Sequence, residues 1–195
     1  MPELSQHMIN KITITPIEGY FGAPGKGRIV GRNSKSENYG YNQREWLLQV
    51  FTDSGLVGLS NARPAMNRGG ILDIYNDFQD LIGQKLSGFF TVYGGRVTNV
   101  NPRWSDLIDR YGFLDVALFD LIGQAFSQPA YSLLGEKVRD KIEGYDSSLY
   151  FQDLVNPAEG ANAVAIEAAK AVEKGWRALK LKLGRPGKWF EPNAG

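Results

Sequence analysis

From Ile142 to Leu183 the chain reads as strand, helix and strand, and this succession restricts the fold more than any other stretch. Ile142 to Leu149 sets Tyr145 and Ser147 on one face and Asp146 and Ser148 on the other, the two-residue alternation of a strand. Asn156-Pro157-Ala158-Glu159 is a helix start, with Asn at the cap, Pro in the first turn and Glu three residues after the cap. The helix repeats Ala161, Val164, Ala165, Ala168 and Val172 and stops at Gly175. Trp176 to Gly184, W-R-A-L-K-L-K-L-G, returns as a strand. Two strands joined in this way should lie parallel with a right-handed crossover, so an α/β domain begins near Lys141.

That last strand also carries the most suggestive chemistry. One face holds Leu179, Leu181 and Leu183, and the other holds Trp176, Ala178, Lys180 and Lys182. The two lysines stand side by side, about 6 to 7 Å apart at Cα. If the face is open to water, the pair is a solvated edge. If it is enclosed, burial and mutual repulsion both favour the neutral amine, which is how a lysine becomes a general base near neutral pH. Spacing alone leaves both readings open.

The first 140 residues or so have a different pattern. Lys11 to Pro16 alternates Ile12 and Ile14 with Thr13 and Thr15, a half-buried strand closed by proline. Glu45 to Thr52 is a second strand, Asp53-Ser54-Gly55 a turn, and Leu56 to Ser60 a third strand, which makes an antiparallel meander. The connection from Ile17 to Arg44 is long for a compact domain, as lids and binding loops are. Its Gly25, Gly27 and Gly31 match neither a dinucleotide fingerprint nor a P-loop. Ile71 to Ile82 has a helical period through Ile74, Tyr75, Phe78 and Leu81. Gly83 to Pro102 reads as a glycine-rich aromatic linker, and Trp104 to Arg110 leads into a helix over Phe113 to Phe126. In that helix Leu114, Ala117, Leu118, Leu121, Ile122 and Ala125 form one apolar stripe whose small members allow close packing. Gln128-Pro129 ends it, and Tyr131 to Gly135 is a short helical turn. The expected fold class is therefore an α+β domain over residues 1–140 followed by an α/β domain over 141–195.

Charge and composition narrow the partners. With 22 basic and 21 acidic residues, nothing favours nucleic acid or an anionic membrane surface. There is no cysteine, hence no disulfide framework and no thiolate chemistry, which suits a cytoplasmic protein. No apolar run approaches the roughly 18 residues of a membrane span, and the first residues lack the regions of a signal peptide. His7, the only histidine, falls in a terminal segment expected to fray.

Three stretches together carry a family resemblance. F-L-D-V-A-L-F-D-L-I-G-Q-A-F-S-Q-P-A-Y-S-L-L-G, from Phe113 to Gly135, resembles the long helix signature of the mandelate racemase/muconate lactonizing enzyme family of the enolase superfamily. Y-D-S at Tyr145 to Ser147 is similar to the end of that family's first barrel strand, and K-L-K at Lys180 to Lys182 to the K-x-K motif of the second. The resemblance implies an α+β capping domain over a TIM-type barrel, and removal of a proton alpha to a carboxylate. Lys182 would be the base, Lys180 its neighbour that lowers its pKa, and Ser147 a hydrogen-bond donor to the substrate carboxylate. Tyr20 and Phe21 in the long loop, and Asn61 in the turn near Pro64, become substrate-contact candidates.

The same resemblance implies Mg²⁺ in full-length relatives, held by three carboxylates on the third to fifth barrel strands. A TIM barrel takes about 250 residues, and the sequence ends barely past the second strand, so the barrel is expected to be incomplete and the metal ligands absent from this chain. Asp115 and Asp120 on the long helix read as helix-surface or interdomain groups. The main expectation is the N-terminal part of a Mg-dependent acid-sugar dehydratase or racemase, acting on a small carboxylate such as an acid sugar or 2-hydroxy acid, and assembling as a homo-oligomer. The alternatives are a non-catalytic capping-domain protein acting in subunit association, and a binding module whose lysines are surface charge.

Overall fold

The alternating apolar residues near the start of the chain build a three-stranded sheet in the order β1-β2-β3, from β1 (Ile9–Tyr20), β2 (Asn42–Thr52) and β3 (Val57–Asn61). A computed structural model describes residues 2–20, 42–62, 70–149 and 160–181. The chain divides into two compact units, Met1–Ile17 with Arg44–Asp140, and Glu18–Gln43 with Lys141–Gly195. Strands β2 and β3 are antiparallel, with Leu48 opposite Ser60 and Val50 opposite Gly58. The expected turn at Asp53-Ser54-Gly55 joins them, with Gly55 at a φ of 89° that favours glycine.

Two expectations for this region need correction. Strand β1 does not close at Pro16 but runs on to Tyr20; a proline's missing N–H is tolerated on an edge strand, which β1 is. Nor does the N-terminal segment fray. A helical turn, α1 (Pro2–Ser5), buries Leu4, the His7 ring is hydrogen-bonded to Ser54 Oγ, and Met8 N donates to Asp53 Oδ1 at 2.9 Å. The β2–β3 turn therefore ties down the start of the chain.

Helix α2 (Ile71–Phe78) is followed by a 3-10 turn over Gln79–Leu81, so the helical stretch expected to Ile82 tightens before its end. Ile74, Phe78 and Leu81 are buried, whereas Ile71, Tyr75 and Ile82 remain exposed. The stretch expected as a linker, Gly83 to Pro102, contains a β-hairpin, β4 (Phe90–Tyr93) and β5 (Arg96–Val100). Gly94 and Gly95 both take positive φ, 58° and 78°, as a tight two-residue hairpin turn requires. The hairpin is held by aromatic packing, with Phe90 edge-on to Phe119 at 5.2 Å between ring centroids. Helix α3 (Pro102–Arg110) then starts at Asn101, whose side chain accepts from Arg103 N at 3.1 Å.

The centre of the first unit is α4 (Gly112–Ala125), the long helix read from the sequence. Leu114, Ala117, Leu118 and Leu121 are fully buried. The helix lies directly on β3: a Cβ at Gly58 would stand 2.2 Å from the Ala117 carbonyl oxygen. Two α4 side chains bond the backbone of this edge strand. Asp120 Oδ2 accepts from Leu59 N at 2.9 Å, and Gln124 Nε2 donates to Val57 O at 2.8 Å. Asp120 is thus neither a plain surface group nor an interdomain one; it clamps β3 to the helix within one unit. Replacing Asp120 with Ala removes that acceptor and is expected to cost about 1 kcal/mol. A lowered urea midpoint with unchanged slope is the result that would show it, and Asp120→Asn, which keeps an acceptor oxygen, should lose less.

In the second unit β6 (Asp146–Leu149) and β7 (Leu179–Leu181) pair in parallel, with α5 (Gly160–Glu173) between them in sequence. The strand expected from Ile142 begins only at Asp146, and Ile142 is 86% exposed. A strand exists where a neighbour supplies hydrogen bonds, and the first of these here is Asp146 N to Ala178 O at 3.0 Å. The buried positions of α5 also differ from the expected stripe: Ala163 and Ala171 are buried, while Val172 is exposed. The expected cap at Asn156 to Glu159 lies outside the described residues.

Candidate functional site

The sequence-derived site residues fall on different elements. Ser147 sits on β6 and Lys180 on β7, each one step beyond the pair Asp146–Leu179, and both are exposed. The register slips by one residue before the next pair, Leu149–Leu181. Parallel pairing therefore brings a hydroxyl and an ammonium onto neighbouring strands of one sheet. Asp146 turns its carboxylate back to accept from Ser148 N at 2.8 Å and is more buried than Ser147.

Lys182 and Phe21 lie outside the described residues. Tyr20 is the last residue of β1. Asn61 ends β3 in the first unit and is exposed, and its Nδ2 donates to Glu45 Oε2 at 2.9 Å.

Tyr145, the first residue of the Y-D-S stretch, is a neighbour of Lys180. The Lys180 Nζ lies 5.6 Å from the centroid of the Tyr145 ring, within the range of cation–π attraction. The alternation that places Tyr145 on the Ser147 face is the signal that could have found it.

Other titratable groups are structural. The Tyr111 hydroxyl, 2.6 Å from Asp77 Oδ2, is the main cause holding the Asp77 carboxyl below its usual range, with Arg110 at 3.0 Å adding to it. Burial pushes the Asp115 carboxyl up, and the charge of Asp109 adds to the shift. An acid whose pKa is raised on folding holds its proton more tightly folded than unfolded. Its contribution to stability therefore falls as pH climbs from the ordinary carboxylate range through the folded value. The variant Asp115→Asn should accordingly match the parent near pH 3 and exceed it in melting temperature at pH 7; a difference independent of pH would contradict the assignment.

Among the described residues, no group of three or more His, Cys, Asp or Glu is close enough to hold a metal ion, and no helix is long and apolar enough to cross a membrane. The described residues do not by themselves make a metal site.

No family model matches the chain. Among curated proteins it is similar to a D-xylonate dehydratase of Haloferax volcanii, 30% identical over 156 residues, covering 72% of this chain and 34% of that protein. It is also similar to a hydrophobic dipeptide epimerase of Enterococcus faecalis, 26% identical over 153 residues, covering 71% of this chain and 37% of the relative. Among solved structures, a mandelate racemase/muconate lactonizing protein from Geobacillus sp. complexed with magnesium and tartrate matches with a TM-score of 0.65 at 23% identity, over 96% of this chain and 44% of that one. The chain thus spans about a third of the length of these curated relatives.

The sequence similarities to curated proteins point to the enolase superfamily. Within it, the relatives are mandelate racemase/muconate lactonizing enzyme-like dehydratases and epimerases.

Proposed function

We propose that this chain belongs to an enzyme that abstracts the proton alpha to the carboxylate of a small acid, an acid sugar or 2-hydroxy acid. Residues 1–140 would form its capping domain, and residues 141–195 would begin its TIM-type barrel. The observation that supports the reading is the parallel β6–β7 pair, which carries Ser147 and Lys180 on adjoining strands of one sheet, in a chain whose relatives include a D-xylonate dehydratase.

In this reading Lys182 takes the proton. It follows Lys180 by two residues, towards what the resemblance makes the C-terminal end of the second barrel strand, the end where barrel active sites are built. A charged Lys180 beside it favours the neutral amine that a base requires. The Ser147 hydroxyl donates to the substrate carboxylate, and Tyr20 at the end of β1, Phe21, and Asn61 at the end of β3 are the proposed substrate contacts. A divalent cation, such as the magnesium of the Geobacillus structure, would stabilise negative charge developing on the substrate. A second reading, association of subunits through the first unit, is favoured by Leu72 and Tyr75 on α2, which are 73% and 62% exposed.

The test is solvent deuterium exchange. The polypeptide as its gene encodes it is incubated in D₂O with magnesium and a panel of aldonic, uronic and 2-hydroxy acids. Deuterium at the alpha carbon of remaining substrate, or conversion to a 2-keto-3-deoxy acid, supports the reading. Inertness toward the whole panel, in protein shown to be folded, would count against it.

A further inference from the structure

We infer that the first unit carries a binding site for a small organic cation with several N–H donors, of the guanidinium class, in the cavity at the C-terminal end of α4. The site shares no residue with the groups proposed for catalysis and stands independently of that reading.

The cavity has a volume of about 330 Å³ and is lined by residues between Asp120 and Ala130. Its polar side chains are fixed by backbone groups of the neighbouring strands. Gln124 Nε2 donates to Val57 O at 2.8 Å, and Gln128 Nε2 donates to Gly95 O at 3.2 Å. A carbonyl accepts only from the amide nitrogen, so neither side chain can flip, and each keeps its Oε1 outside that bond. Asp120 spends Oδ2 on Leu59 N at 2.9 Å and retains Oδ1. Together with the Ser127 hydroxyl, these are the polar side chains of the lining, and Asp120 alone among them is charged. Fixed acceptors with one negative charge, at the negative end of a helix, favour a cation that donates hydrogen bonds.

Ser127 gives a second and separate indication. Among the described residues it is the one non-glycine with positive φ, 53°. It stands just past the end of α4, where a chain turning off a helix favours glycine. Ser127 N donates to Gln124 O at 3.0 Å and Gln128 N to Gly123 O at 2.9 Å, which hold the backbone in that turn. Serine there carries a conformational cost that glycine would not, and what it adds is a hydroxyl at the cavity. Backbone strain retained in this way is characteristic of ligand sites. The planar fork of N–H groups on a guanidinium can meet several fixed oxygens at once, whereas a quaternary ammonium brings the same charge without a donor.

The experiment titrates the full chain, ¹⁵N-labelled, with methylguanidinium chloride at constant ionic strength, with tetramethylammonium chloride as the control. Saturable amide shifts centred on Gly123 to Ala130 are expected with the first salt and not with the second. Ser127→Ala and Ser127→Gly both remove the hydroxyl, and each should weaken methylguanidinium binding by about threefold or more. Ser127→Gly should at the same time melt at or above the parental temperature, because it relieves the positive φ, so its weaker binding cannot be put down to unfolding. Shifts that grow without saturating, an equal response to tetramethylammonium, or parental affinity in both Ser127 variants would each overturn the site.

Discussion

Valine in place of Gly58 is expected to remove a large fraction of the first unit's stability. The clash is with backbone and not with a side chain that could swing away. A Cβ at residue 58 would stand 2.2 Å from the Ala117 carbonyl oxygen and 2.7 Å from Leu121 Cγ. Real Cβ contacts are not that short, so α4 would have to move off β3. That motion would also stretch the hydrogen bonds Asp120–Leu59 and Gln124–Val57, which depend on the same approach. Overpacking costs about 1–3 kcal/mol and occasionally more; with a helix backbone in the way, Gly58→Ala should lie near 3 kcal/mol and Gly58→Val beyond it. Against a total stability of about 5–15 kcal/mol, that is a large fraction. Gly88 is the control, because a Cβ there meets nothing within 4 Å, and Gly88→Ala should stay within about 0.5 kcal/mol. Urea unfolding of the three variants checks the ranking, and a Gly58→Ala midpoint equal to that of the parent would refute the packing argument.

The second large effect follows from the proposed chemistry. Lys182→Ala should reduce alpha-proton exchange by at least about 10²-fold, the lower end of what a general base supplies, while leaving the unfolding midpoint within the range of surface substitutions. Lys180→Ala should reduce exchange less and move its pH optimum upward. The sign follows from the charge: an adjacent ammonium makes the Lys182 amine harder to protonate, so its removal raises the pH at which the base becomes free. Deuterium incorporation measured across a pH series for both variants provides the test. Undiminished incorporation in Lys182→Ala would place the base elsewhere, and an unmoved optimum in Lys180→Ala would remove Lys180 from the site.

The parts of the fold that were legible in the sequence are those set by short-range periodicity. The stripe from Leu114 to Ile122 marks a buried helix because its neighbours in space are its neighbours at helical spacing. The alternation around Lys180 marks a strand for the same reason. Even the hairpin read as a linker carried a local signal, since Gly94-Gly95 stands between alternating residues; abundant glycine and aromatic residues masked it. The candidate site was legible to the same degree. Lys180 and Ser147 were singled out by pattern and resemblance, whereas Tyr145 acquired a partner only once the strands were paired.

The order of elements, the parallel strand–helix–strand unit and the chemical character of the lysine strand were determined by the sequence alone, because each depends on residues within a few turns or one strand of one another. Tertiary structure alone decided where those elements stop and what their polar groups do. Asp120 looked like a surface carboxylate until β3, 61 residues earlier, presented an N–H to it. His7 looked like part of a loose tail until Ser54 and Asp53 held the segment. Ile142 belonged to a strand by pattern and falls outside it because the hydrogen bonds to Ala178 and beyond begin at Asp146. In each case the deciding partner is distant in the chain, and no local periodicity records which distant group will arrive to satisfy a donor or acceptor.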